Sequence, residues 1–530
     1  MVNLSASLIN PTHILCRLPI LKRFLCPLIG SSSSLVRTPI GAASGTLDPS
    51  GVNRFTVQYA TAHRWQESQV ATTWNLAVGA LNETDLPLAC PQPDVDPSTY
   101  TENCLSMILY VPPSLPDRAP TFLWIHGGSF IVGSATDAGL DGSKLAIATK
   151  SIVAVIQYRL GALGFMVPNG NTNLAIKDVI ASMQFLRLVL PSFGGDASKI
   201  TLAGQSSGAN MIRALLAVPS ASSLFTSAIL HSDPMNYGFL STTAQGKLQA
   251  TYNDLISCSS TNTTCWDSLS IDTILSAQTT LYNTAASIDP SAGPAQPIRP
   301  VNDDSLIGTS FNSAPSFQKT EKPIIVSTVL NEAGPAIYGQ FTAPLSEDAF
   351  QPICEASLGS SRTSTILASP FYKAQFLANG SVDARTQLQS LGTDQVWKCA
   401  AWTFVRNWVQ SSSTAYVGLY TVGASYPSNN GIPFCAQSES VCHQDDIRIV
   451  FGTVDSPTTQ QSALISEVQK RYRAFLYTGS PNIPGLPIWP QANSSFINAY
   501  NFGGRGEIPI GACQTDFWGQ TVPYDYQVYA

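Results

Sequence analysis

Gly204-Gln205-Ser206-Ser207-Gly208 follows the apolar run 200–203 and precedes an Ala- and Leu-rich stretch, 209–217, that Pro219 stops. The pattern G-x-S-x-G at a strand-to-helix turn is the arrangement that lifts a serine hydroxyl clear of the backbone at a sheet edge. The flanking glycines lack a Cβ, which permits a strained turn and lets strand and helix approach closely. The five residues alone are a weak signal. The strand before them and the helix after them supply the context that makes Ser206 a candidate nucleophile.

The same alternation extends on the N-terminal side. The run 121–125 leads into His126-Gly127-Gly128, and the run 152–158 leads into Arg159-Leu160-Gly161-Ala162-Leu163-Gly164-Phe165. These runs are too short and too apolar for amphipathic helices and read as buried strands of a mainly parallel sheet. Between them, 173–190 places Leu174, Val179, Met183, Leu186 and Leu190 mostly three or four residues apart, the spacing of a helix face. Strands alternating with helices imply a doubly wound α/β domain.

A serine that attacks a carbonyl needs N–H groups aimed at the charge that develops on oxygen. Ser207 offers one directly after the nucleophile, and the strand-end turn His126-Gly127-Gly128-Ser129 has the small residues that let amides face inward. The general base follows from elimination among five histidines. His13 lies in the N-terminal segment, His63 precedes the first clear strand, His126 belongs to the turn, and His231 closes the run 227–230, where packing accounts for it. His443 is late enough for the chain order Ser, acid, His and sits in a polar loop, Val441-Cys442-His443-Gln444-Asp445-Asp446. For the acid, Glu332 follows the apolar run 323–329 and so stands at a strand's carboxyl end. Asp445 and Asp446 compete with it, although their place just after the histidine suits a helix N-terminus better.

Composition limits the alternatives. The chain has 530 residues, 44% of them hydrophobic and only 12% charged, with a net charge of −6. Such a chain buries a large core, and its acidic balance argues against nucleic acid as a partner. No apolar run reaches the ~18–20 residues of a membrane span. Eleven cysteines point to an oxidising compartment, and none shows the doubled C-x-x-C spacing of a zinc site, so neither metal nor cofactor is expected. Sequons begin at Asn3, Asn82, Asn262, Asn379 and Asn493, which agrees with a secreted glycoprotein. The apolar patches between residues 14 and 29 are interrupted by Arg17, Lys22 and Arg23, an unclean signal-peptide core. Residues 1–35 are set aside as a signal or processed segment and 36–530 are taken as one domain. No oligomeric state follows from the sequence.

From about residue 36 to 489 the chain resembles the type B carboxylesterases, the group that includes cholinesterases, fungal lipases and the non-catalytic neuroligins. Arg64-Trp65 is similar to the family's early Arg-Phe, and Thr101-Glu102-Asn103-Cys104-Leu105 to its Ser-Glu-Asp-Cys-Leu. Phe193-Gly194-Gly195-Asp196 resembles the segment before the elbow, Phe451-Gly452 the one after the histidine, and Tyr477-Thr478-Gly479-Ser480-Pro481-Asn482 the closing helix and turn. The resemblance implies an α/β-hydrolase fold with a mainly parallel central sheet, helices on both faces and helical insertions. It implies Ser206, Glu332 and His443 as catalytic residues, and the N–H groups of Gly128, Ser129 and Ser207 as the oxyanion hole. Ser129 stands where a third glycine is usual and Ser207 where alanine is usual; both keep the N–H. Ser232 resembles the family serine that hydrogen-bonds the acid. Family disulfides imply Cys90–Cys104 and Cys258–Cys265. The short spacing of Cys435 and Cys442 suggests a third bridge beside His443, while Cys354, Cys399 and Cys513 remain unassigned.

The implied function is a serine carboxylic ester hydrolase whose partner is a small ester, with short-to-medium neutral esters preferred. The loop from Cys90 to Cys104 contains no tryptophan to stack on a choline group, and Gln205 replaces the glutamate that usually precedes the nucleophile. An interfacial lipase is one alternative, with residues 281–300 long enough to form a lid. A non-catalytic binding protein is the other, although such relatives lose the nucleophile or the base.

Overall fold

The computed structural model describes residues 33–376 and 380–529. Its centre is an eleven-stranded sheet. In chain order the strands are β1 (Ser33–Thr38), β2 (Gly41–Leu47), β3 (Asn53–Gln58), β4 (Ser106–Val111), β5 (Ala119–Ile125), β6 (Ile152–Ile156), β7 (Gly195–Gln205), β8 (Ser227–His231), β9 (Ile324–Val329), β10 (Ala415–Tyr420) and β11 (Tyr500–Phe502). Across the sheet they lie in the order β1-β2-β3-β4-β6-β5-β7-β8-β9-β10-β11. Pairing is antiparallel from β1 to β6 and parallel from β6 to β11.

The principal helices used below are α1 (Ser143–Thr149), α2 (Leu174–Val189), α3 (Ser207–Leu216), α4 (Ile271–Ile288), α5 (Gly334–Gln340), α6 (Cys399–Gln410) and α7 (Thr459–Thr478). Side chains alternate across a strand. In β5, Phe122 and Trp124 therefore join Val468, Tyr472 and Phe475 of α7 on one face, while Leu123 and Ile125 join Val179 and Leu186 of α2 on the other. Burial on both faces explains why the central strands read as unbroken apolar runs. This is the α/β-hydrolase architecture expected from the sequence.

Three expectations need adjustment. β1 begins at Ser33, inside the segment set aside, because its backbone completes the sheet edge against β2. Residues 281–300, long enough for a lid, are packed into the fold. Residues 281–288 finish α4, residues 296–300 are buried, and the Arg299 guanidinium donates to the carbonyls of Gly238, Ser291, Ala292 and Gln296. Cys399 and Cys513 are joined, besides Cys90–Cys104, Cys258–Cys265 and Cys435–Cys442, and Cys354 is free and buried. Asn82, Asn262 and Asn493 are exposed; Asn3 and Asn379 lie outside the described residues. Among the described residues no helix is long and apolar enough to cross a membrane.

Candidate active site

The parallel strands end on one edge of the sheet, where open α/β sheets place their sites. β7 delivers Ser206 there, β5 the turn that starts at His126, and β9 the segment with Glu332. Ser206 has φ 57° and ψ −125°, outside the regions that residues with a Cβ ordinarily occupy, and its N–H donates to His231 O at 2.8 Å. The glycines beside it are required by contact. A Cβ on Gly208 would lie 2.1 Å from Ile125 O, and one on Gly204 would lie 2.8 Å from the same atom. Elbow and oxyanion turn are thus packed backbone to backbone.

His443 comes to the elbow from a loop far along the chain. Its Nδ1 lies 2.6 Å from Glu332 Oε2, and Glu332 Oε1 accepts the N–H of Val329 at 2.8 Å. A carboxylate can only accept here, so Nδ1 carries the hydrogen and Nε2 offers its lone pair. Gln205 Nε2 lies 3.1 Å from that nitrogen. The other amide atom, Gln205 Oε1, is buried and has no hydrogen-bond partner among the described residues. Trp397 leans over the imidazole with ring centroids 5.4 Å apart at 49°. It belongs to a π-helical turn, Thr393–Lys398, directly before α6; such turns recur at functional sites. Ser206 is buried, only 5% exposed, and the His443 side chain is 18% exposed.

The two competing acids are occupied elsewhere. Asp445 accepts the N–H groups of Cys442 and Tyr426 and the amide of Asn429, while Asp446 Oδ2 meets His231 Nδ1 at 2.7 Å in the core. The segment carrying Glu332 and the loop carrying His443 are tied directly. Asn331 N–H donates to Val441 O, and Val441 N–H donates to Asn331 Oδ1. Ser232 does not hydrogen-bond Glu332 as the resemblance implied. Its Oγ is buried without a partner, and the Val329 N–H occupies the acceptor instead.

The turn after β5 is left-handed at Gly128, Ser129 and Phe130, with φ of 118°, 53° and 66°. Among the described residues, the backbone N–H groups of Gly128, Ser129 and Ser207 donate to no other group. One clamp on this turn was not legible in the sequence. Gln92, from the loop closed by Cys90–Cys104, exchanges two hydrogen bonds with the backbone of Gly133, at 2.9 and 3.1 Å. His126, buried beneath the turn, is pushed below its ordinary pKa by desolvation and stays neutral.

A carboxylesterase family model matches residues 32–515. This chain belongs to the carboxylesterase family. Over 493 residues it is 26% identical to mouse Carboxylesterase 1D, which covers 85% of this chain and 82% of the relative. It is 33% identical to the para-nitrobenzyl esterase of Bacillus subtilis over 215 residues, 37% of this chain and 43% of that protein, so that match spans less than half of the relative. Among solved structures, a thermophilic para-nitrobenzyl esterase superposes with a TM-score of 0.72 at 21% identity, covering 88% of this carboxylesterase-family chain and 96% of the other. That likeness concerns the fold.

Proposed function

We propose that this carboxylic ester hydrolase works through an acyl-enzyme on Ser206, with His443 as base and Glu332 as the acid that orients it, and prefers short-to-medium neutral esters. The contact between His443 Nδ1 and Glu332 Oε2 carries the reading, because it turns Nε2, the other ring nitrogen, toward the elbow, where Gln205 meets it. Ser206 Oγ attacks the ester carbonyl as Nε2 takes its proton. The N–H groups of Gly128, Ser129 and Ser207 receive the negative oxygen, and the same proton goes to the departing alkoxide. Water then repeats the sequence on the acyl-enzyme. Gln205 shares Nε2 in the resting geometry and must yield it to the hydroxyl during attack.

Two features support the substrate preference. The Cys90–Cys104 loop is anchored to the oxyanion turn through Gln92, which suits a fixed wall better than a lid that opens at an oil surface. Trp397 gives the site an aromatic face from outside that loop, and with Gln205 neutral the carboxylate that usually precedes the nucleophile is missing beside it. Secretion and glycosylation belong to the same proposal; among the described residues, four disulfides and three exposed sequons support them.

Ser206→Ala is expected to lower hydrolysis of a nitrophenyl ester by several orders of magnitude, and His443→Ala by a similar amount without adding to it. Steady-state assay of the two single variants and the double variant checks this. A Ser206→Ala protein that keeps a tenth of the wild-type turnover would refute the assignment.

A further inference from the structure

We propose that Gln205 sets the acidic limit of this site, keeping His443 unprotonated into more acidic solution than a glutamate at the same position would. The inference rests on the reading of Ser206, His443 and Glu332 given above and concerns how that site responds to pH.

Each side of the imidazole is met by a different element. Glu332, beyond β9, accepts from Nδ1. The ring of Trp397, from the π-helical turn, lies over its face. Asp445 and Asp446, from its own loop, are taken up by main-chain N–H groups and by His231. The contact at Nε2 comes from Gln205, at the end of β7, through its amide nitrogen at 3.1 Å. An amide NH2 is a donor. It meets the lone pair of a neutral imidazole, whereas an imidazolium would set its own Nε2–H against the amide hydrogens. The contact therefore favours the form of His443 that can act as a base.

The Gln205 side chain is confined beside the ring. It is fully buried, its backbone is in register with His231 of β8, and a Cβ on Gly127 would lie 2.8 Å from its Oε1. A carboxylate confined in the same place has no hydrogen to donate. It would serve the imidazolium instead, and an opposite charge at this range favours a protonated imidazole by about 1–3 pH units. The sign follows directly. Glutamine leaves the base competent at lower pH, and glutamate removes that range.

The acid limb of kcat/KM against pH reports the essential base of the free enzyme. It should be measured from pH 4 to 9 with a short neutral nitrophenyl ester for wild type, Gln205→Glu, Gln205→Met and Ser206→Ala, with thermal melting alongside. In Gln205→Glu the limb is expected to move to higher pH by about 1–3 units, a loss of roughly tenfold to a thousandfold in acid that recovers toward pH 9. Gln205→Met, which loses the donor without gaining a charge, should shift the limb in the same direction but less. An unmoved limb in Gln205→Glu, or an equal loss at every pH in both variants, would show that Gln205 is only a packing residue. Should Gln205→Glu fail to fold, the limb of Gln205→Met decides, and an unmoved limb overturns the proposal. Residual hydrolysis by Ser206→Ala would instead count against the assignment of the site itself.

Discussion

Asp445 stands two residues beyond His443 and acts on it through the backbone. Its carboxyl accepts from the N–H groups of Cys442 and Tyr426 and from the Asn429 amide, which also donates to His443 O at 2.8 Å. Burial outweighs these hydrogen bonds and pushes the carboxyl up to about 6. A carboxyl raised in the folded state binds its proton more tightly there than in the unfolded chain. Its contribution to stability is therefore greatest below its ordinary value of 3.8, falls as pH rises toward about 6, and is level above that; the total is on the order of 3 kcal/mol. In Asp445→Asn, urea unfolding at pH 4.5 and 7.5 should show a smaller decline with pH than wild type. Turnover at pH 7.5 should fall about 10–100-fold, because the amide cannot accept from both N–H groups and the loop shifts. An unchanged pH dependence of unfolding would show that this carboxyl is not the titrating group. The sequence favoured Glu332, at a strand's carboxyl end, over Asp445 and Asp446 beside the histidine. What it did not show is the pairing of residue 331 with residue 441, which brings Glu332 to the ring.

The loop carrying His443 and the segment carrying Glu332 behave as one built element. Beyond the Asn331–Val441 bonds, a Cβ on Gly334 would lie 2.9 Å from Cys442 Sγ, and the rings of Tyr338 on α5 and Phe434 stack 4.0 Å apart. The Cys435–Cys442 bridge closes this arrangement directly before the histidine. Replacing both cysteines by serine should lower kcat about 10–100-fold with little change in KM, since the loss is in placing the base and not in holding the ester. A variant with wild-type kcat would reduce the bridge to an ordinary structural crosslink. At this scale β5, β6 and β7 were legible because sheet faces bury both sides of them. The edge strands β1 and β11 were not, since a short strand at the rim of a sheet exists through its partner more than through its own residues. Gln92 and Trp397 left no local signal, because each matters through a contact with a segment distant in sequence.

Over the whole molecule, the walls of the site are supplied by anchored segments. The first disulfide loop is hydrogen-bonded to the oxyanion turn, and the stretch once open to a lid reading is split between α4 and a buried arginine. Rates along an acyl series from acetate to palmitate should accordingly peak at short-to-medium chains and vary smoothly through the critical micelle concentration, with butyrylcholine slower than a neutral butyrate. A jump in rate at micelle formation, or faster choline turnover, would overturn the preference.

The Cys399–Cys513 bridge spans 114 residues and fastens α6, beside Trp397, to the C-terminal region. During synthesis at about 5–20 residues per second, Cys399 waits roughly 6–23 seconds before its partner is made. Cys90–Cys104 and Cys258–Cys265, by contrast, close within short stretches of nascent chain. Cys435 and Cys442, seven residues apart like Cys258 and Cys265, close as quickly. Through that interval Cys399 shares the nascent chain with the thiol of Cys354, which keeps no partner among the described residues of the finished fold. Under oxidising conditions the long bridge would therefore be completed last, and a chain that joined Cys354 to Cys399 would need thiol exchange to reach the Cys399–Cys513 pairing.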